Sequence, residues 1–171
     1  MHLRIFMIAC LLICGTAAMS QDLSSIPGVP QNALIFIDSV ESKNGMEGLD
    51  PTKIALIDIV KGSKLKEKYG PRGEDGVIFI ETVPFARKRY TRMFGEISAD
   101  YQQELKKEGS DSAFLYLLDG APIENNQAQM LAALERKNID SIKVIPAAKL
   151  AAVPGDHTGK KYGILITSKT N

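Results

Sequence analysis

Hydrolysis by a Ser-His-Asp arrangement needs an imidazole to carry the proton. Outside an apolar N-terminal stretch this sequence offers one histidine, His157, set between Asp156 and Thr158 in a glycine-flanked segment. That setting reads as a surface loop. A metal centre has no better support, because one histidine, two cysteines confined to Cys10 and Cys14, and scattered carboxylates form no ligand spacing. Paired carboxylates can act as general acid and base, and Asp38 and Asp119 are the one pair in matching positions, each ending a short apolar run. Stopping a strand and hydrogen-bonding the next turn accounts for both. Gly70, Gly73 and Gly76 invite a phosphate-cradle reading, yet no Gly-Lys-Ser/Thr ending and no G-x-G-x-x-G order is present, and the loop enters an apolar strand-like run. The glycines, with Gly120 and Gly163 further on, are expected to make structural turns. The expectation is a protein without catalytic residues, cofactor or metal, and not an enzyme.

The N-terminus points to export. Arg4 precedes an apolar run from Ile5 to Cys14, and Ala18-Met19-Ser20 supplies small residues before Gln21, so residues 1–20 read as a signal peptide. The run is short for a membrane span, and no transmembrane segment is expected in the mature chain. Both cysteines leave with the leader, which fits a bacterial envelope better than a disulfide-stapled secreted scaffold. Removing Arg4 leaves basic and acidic residues equal in number, and a neutral chain lacks the field that nucleic-acid binding requires. Two basic clusters remain, Lys61, Lys64, Lys66 and Lys68 in one segment and Arg87-Lys88-Arg89 with Arg92 in another. Both read as solvated surface, with an anionic partner as the alternative.

The elements that would position these residues form a pattern that occurs twice. Residues 21–31, with Pro27, Gly28 and Pro30, read as a flexible arm. The first unit, residues 32–84, has a strand at Ala33 to Ile37, a helical turn capped by Asp50 with Pro51 at its start, and a strand from Ala55 to Val60. A helix-compatible Lys64 to Tyr69, the glycine bend and a strand from Val77 follow. Residues 85–111 read as one long amphipathic connector helix, in which Tyr90, Phe94, Ile97, Tyr101 and Leu105 form an apolar stripe that ends at Gly109. The second unit, residues 112–171, repeats the order: Phe114 to Leu118 before Asp119-Gly120, a helix capped by Asn125 or Asn126, Asn138 to Ile145 aligned with Lys53 to Val60, and Gly163-Ile164 aligned with Gly76-Val77. The fold class expected is α+β, as two tandem β-(α)-β-β units joined by the helix and sharing a core.

The order LIFID, LDPTKIALIDIVKG, KYGPRGEDGVIFIET resembles the plug domain of TonB-dependent outer-membrane receptors, the SusC-like ones above all. Asp38, Pro51, Ile54, Ile57, Ile59, Lys61, Gly62, Tyr69, Gly70, Gly73, Gly76, Val77, Ile78, Ile80 and Thr82 fall in register with the plug pattern. In the second copy Asp119, Gly120, Ile139, Ile142, Val144, Gly163, Ile164, Ile166 and Thr167 do so, without the Lys-Gly after the middle strand and with a divergent bend. These motifs make a fold and carry no reaction. A receptor plug is followed by a large barrel, whereas this sequence stops at Asn171, so a plug-like module and not a transporter is expected. The resemblance implies a Bacteroidetes-type bacterium, a place in the periplasm or at the outer membrane, and a partner among envelope proteins, an outer-membrane receptor included. The leading expectation is a protein-binding or assembly module that offers exposed sheet edges. The second is a small-ligand or glycan site in a groove between the units, although the sequence has no tryptophan to stack on a sugar.

Overall fold

The computed structural model describes residues 32–169. The expected signal peptide and arm lie outside the described residues. The first sheet consists of β1 (Leu34–Ile37), β2 (Val40–Glu41), β3 (Ile54–Val60) and β4 (Val77–Thr82), in the order β2-β1-β4-β3. The second consists of β5 (Phe114–Leu118), β6 (Ala121–Pro122), β7 (Ile139–Ile145) and β8 (Tyr162–Ser168), in the order β6-β5-β8-β7. In each, the two central strands run parallel and the outer strands run antiparallel to their neighbours. Each sheet even carries its irregularity at one place, between Ile54 and Leu56 and between Ile139 and Ser141. The chain is α+β with one topology used twice.

The apolar runs predict three strands per unit, and the structure has four. The additional strands, β2 and β6, are two residues long and follow turns in which consecutive residues adopt positive φ: Asp38 (50°) and Ser39 (71°), then Asp119 (50°) and Gly120 (88°). Two successive left-handed residues make the tight hairpin whose twist matches that of the strands. Strands this short leave no hydrophobic periodicity to read.

The correspondence of the last strands also differs from expectation. The Asp38 amide donates to Ile80 O and the Asp119 amide to Ile166 O, both at 2.9 Å, which pairs Ile166 with Ile80. Gly163 therefore matches Val77 and not Gly76, one position from the sequence alignment. It lies inside β8 and is no turn. A Cβ there would come within 3.2–3.3 Å of Ile145 and Leu150, so close packing across β7 and α5 (Ala147–Leu150) explains the glycine.

Between the sheets run α2 (Val83–Ile97) and α3 (Ala99–Glu108), where one long helix is expected. The break falls at Ser98, whose extended backbone ends α2 while its hydroxyl accepts from the Tyr101 amide and caps α3. The apolar stripe survives the break. Tyr90, Phe94 and Tyr101 are fully buried against Phe114, Tyr116, Ile142, Ile164 and Ile166, and α4 (Gln127–Ala133) adds Leu131. Gly109 closes α3 in a left-handed conformation, with its N–H on Leu105 O.

This large core belongs to the second sheet and the connector helices, so the expectation of one core shared by both units needs correction. The first sheet buries Val77, Ile78 and Ile80 and meets the rest through a small seam of Ala55, Ala86 and Ala132, flanked by Leu56 and Val83. Alanines let three backbones approach closely there, but they bury little apolar area. Among the described residues, no helix is long and apolar enough to cross a membrane.

Candidate functional site

Asp38 and Asp119 perform the same task in the two units. Asp38 accepts from the Thr82 amide at 2.7 Å and from the Thr82 hydroxyl at 2.8 Å. Asp119 accepts from the Ser168 amide at 2.8 Å and its hydroxyl at 2.6 Å. Each carboxylate thus ties the tight turn to the end of the neighbouring parallel strand, with both oxygens engaged inside its own unit. Hydrogen bonds from the Ser168 hydroxyl and amide hold the Asp119 carboxyl below the ordinary range. The arrangement gives strand-end clamps, and it does not join the two acids as an acid–base pair.

The expected turn residues divide into two kinds. Gly70 and Gly76 sit at positive φ, 65° and 110°, and shape the bend between α1 (Ser63–Tyr69) and β4. Gly73 is there for space: a Cβ would lie 2.5 Å from the Leu65 carbonyl oxygen. His157 lies in a loop with Nε2 donating to Val153 O at 2.7 Å, and Asp156 accepts from the Thr158 amide at 2.9 Å in a local turn. Among the described residues, no group of three or more His, Cys, Asp or Glu side chains could hold a metal ion.

The run Arg87-Lys88-Arg89 with Arg92 is split by the helix. Arg89 turns inward, where Nε and an NH2 nitrogen bind Glu81 at 2.8–2.9 Å and the same NH2 nitrogen reaches Ala132 O at 2.6 Å. Arg87 lies 3.4 Å from Asp111, an acid only 3% exposed. Asp111 also accepts from Tyr90 at 2.8 Å and Tyr116 at 3.4 Å, and Tyr101 is linked to Tyr116 at 2.9 Å. Burial pushes all three phenols above their ordinary pKa, and the hydrogen bond with Tyr90 followed by the charge of Asp111 raises that of Arg87. This network fastens α2 and α3 to the second sheet, and sequence reasoning missed it. Its one visible signal is an acid three residues before the Phe114 run. Lys88 and Arg92 face outward and, with Lys106 and Glu96, border an open depression of about 290 Å³.

The sheet edges differ in how well they are closed. β2 and β6 are short, and Pro122 removes a donor from β6. β7 presents exposed Asp140 and Lys143, charges that discourage a further strand. β3 is closed only over its first half, where Gln129 Nε2 donates to Ile54 O at 3.1 Å and Ala55 is buried in the alanine seam. From Ile57 to Ile59 the strand is exposed, and among the described residues no hydrogen bond joins the backbone of 57–60 to anything beyond its own sheet.

The two faces of this open stretch differ in character. Pairing with β4 places Ile57 and Ile59 on one face, 43% and 39% exposed. Leu56 and Asp58 share the other face and, with Ile57 at the rim, line a groove of about 430 Å³ between the units that Glu81, Arg89 and residues 132–135 complete. Among the described residues, no aromatic side chain lines that groove. No protein-family pattern, no curated protein and no solved structure matches the chain.

Proposed function

We propose that this chain is an exported, non-catalytic protein of the bacterial cell envelope, built as two plug-like units, that binds another protein by accepting a strand at β3. The observation that carries the reading is the second half of the seven-residue β3, which from Ile57 to Ile59 is exposed and uncovered among the described residues. An edge strand offers alternate N–H and C=O groups to a passing extended segment, and native proteins usually block such edges. Here two of the four edges are only two residues long and a third carries two exposed charges, whereas β3 carries the single charge Asp58 between two exposed isoleucines. The repeated sheet order and the repeated Asp clamps support a plug-like duplication. A small ligand in the groove beside β3 is the competing reading, and the absence of aromatic side chains from its lining argues against a glycan.

Cross-linking of the tagged protein in its native envelope tests the proposal. The expected outcome is recovery of one specific envelope protein, such as a receptor barrel, which is lost when Ile57→Lys and Ile59→Lys together put charge on the edge. Equal recovery with the double variant would remove β3 from the interface.

A further inference from the structure

The groove beside β3 carries information about what binds there. Arg89 gives Nε and one terminal nitrogen to the two oxygens of Glu81 and to Ala132 O. Its single positive charge is matched by Glu81, so the other acids of the lining keep a net negative charge. Asp58 has no hydrogen bond or ion pair among the described residues. Glu135 has Lys137 at 2.6 Å, an exposed pair of the kind that contributes little. The groove is therefore a net acidic slot with Leu56 and Ile57 in its lining, and it runs along an edge strand that also exposes Ile59.

Resting on the strand-addition reading, we infer that the partner is an extended segment of another protein with the alternation apolar, basic, apolar. In a strand laid antiparallel to β3, residues opposite Ile57 and Ile59 share their apolar face, and the residue between them shares the face of Asp58. A lysine or arginine at that central position reaches into the groove, where Asp58 and Glu135 supply the counter-charge.

The same residues disfavour a second copy of this chain. The self-pairing that sets Ile57 against Ile59 also sets Asp58 directly against Asp58, and like charges directly opposite destabilise a pair. Shifting by one step to set Ile59 against Ile59 places Ile57 opposite Lys61 and Asp58 opposite Val60, which wastes both faces.

Short peptides with a Val-Lys-Val, Val-Glu-Val or Val-Ser-Val centre, titrated against the whole chain at low salt, test the inference, with amide hydrogen exchange locating the contact. The expected result is protection at residues 57–60 and at least about a tenfold preference for the lysine peptide over the glutamate peptide, about 1.4 kcal/mol. Added salt should shrink that preference. Asp58→Lys, at an exposed position, should reverse the order of the two charged peptides.

Equal binding of all three peptides with protection at 57–60 would overturn the charge inference and leave strand addition standing. Binding of none, with the chain monomeric, would overturn the strand-addition reading as well. Concentration-dependent self-association abolished by Ile57→Lys would identify a second copy as the occupant and overturn the partner assigned here.

Discussion

Replacing Asp38 with alanine deprives the Thr82 amide and hydroxyl of a shared acceptor in a part-buried site. Hydrogen bonds to charged groups of this kind contribute about 1.5–3 kcal/mol, and denaturant unfolding of Asp38→Ala should show a loss on that order. Asp119→Ala should move stability in the same direction, with a distinctive acid dependence. Its carboxyl pKa is lowered in the fold, so its contribution is complete above the unfolded value of about 3.9 and fades as pH falls through the folded value. The difference between Asp119→Asn and the parent should therefore shrink in acid. At the alkaline end the logic reverses. Tyr90, Tyr101 and Tyr116 are held above the ordinary phenol value of about 10, chiefly by burial, so the fold gains from them below that pH and loses the gain as pH climbs beyond it. A titration followed by tyrosinate absorbance should show three of the five tyrosines ionising only together with unfolding. Immediate ionisation of all five in folded protein would contradict the buried network.

At the level of elements, the short bend between α1 and β4 depends on contact distance. Gly73→Ala drives a methyl group into the Leu65 carbonyl oxygen, a backbone atom that cannot swing aside. A cost of about 1–3 kcal/mol is expected from such overpacking, read as a lower unfolding midpoint. Gly73 could be picked out from sequence, but its reason could not, because a bend glycine looks the same whether φ or proximity demands it. Strands β1, β3, β4, β5, β7 and β8 were legible as apolar runs, and Asp50-Pro51 correctly marked a helical turn, with Asp50 accepting from the Thr52 amide. The division of the connector at Ser98 was hidden, because Tyr90, Phe94, Ile97, Tyr101 and Leu105 keep helical spacing straight across it. Asn126 heads α4 with φ 51° and no side-chain cap bond, so its backbone, and not the expected side chain, starts that helix.

Across the whole molecule, the two units cohere through small residues. Ala132 is 2% exposed and touches the seam with Ala55 and Ala86, so Ala132→Leu should lever the first sheet away from α2 and α4 at a cost of about 1–3 kcal/mol. Thermal unfolding of that variant should split into two transitions, the first sheet melting earlier; a single transition at the parental midpoint would show that the seam tolerates the added bulk. The sequence made the repeated strand order visible, yet it hid the unequal division of the core, because stripe residues do not declare which sheet they will cover. The open edge of β3 was hidden for a related reason: Asp58 marks water on one side of a strand, but only the fold shows that Gln129 closes one end and leaves the other. Strand β4, flanked on both sides within its sheet, continues into α2 with no residue between Thr82 and Val83. A pull on a strand held at β3 would load the β3–β4 ladder in shear, its rungs sharing the tension together instead of unzipping singly. The force would then pass along one unbroken stretch of chain into the helix packed on the second sheet, making the molecule a mechanical coupler.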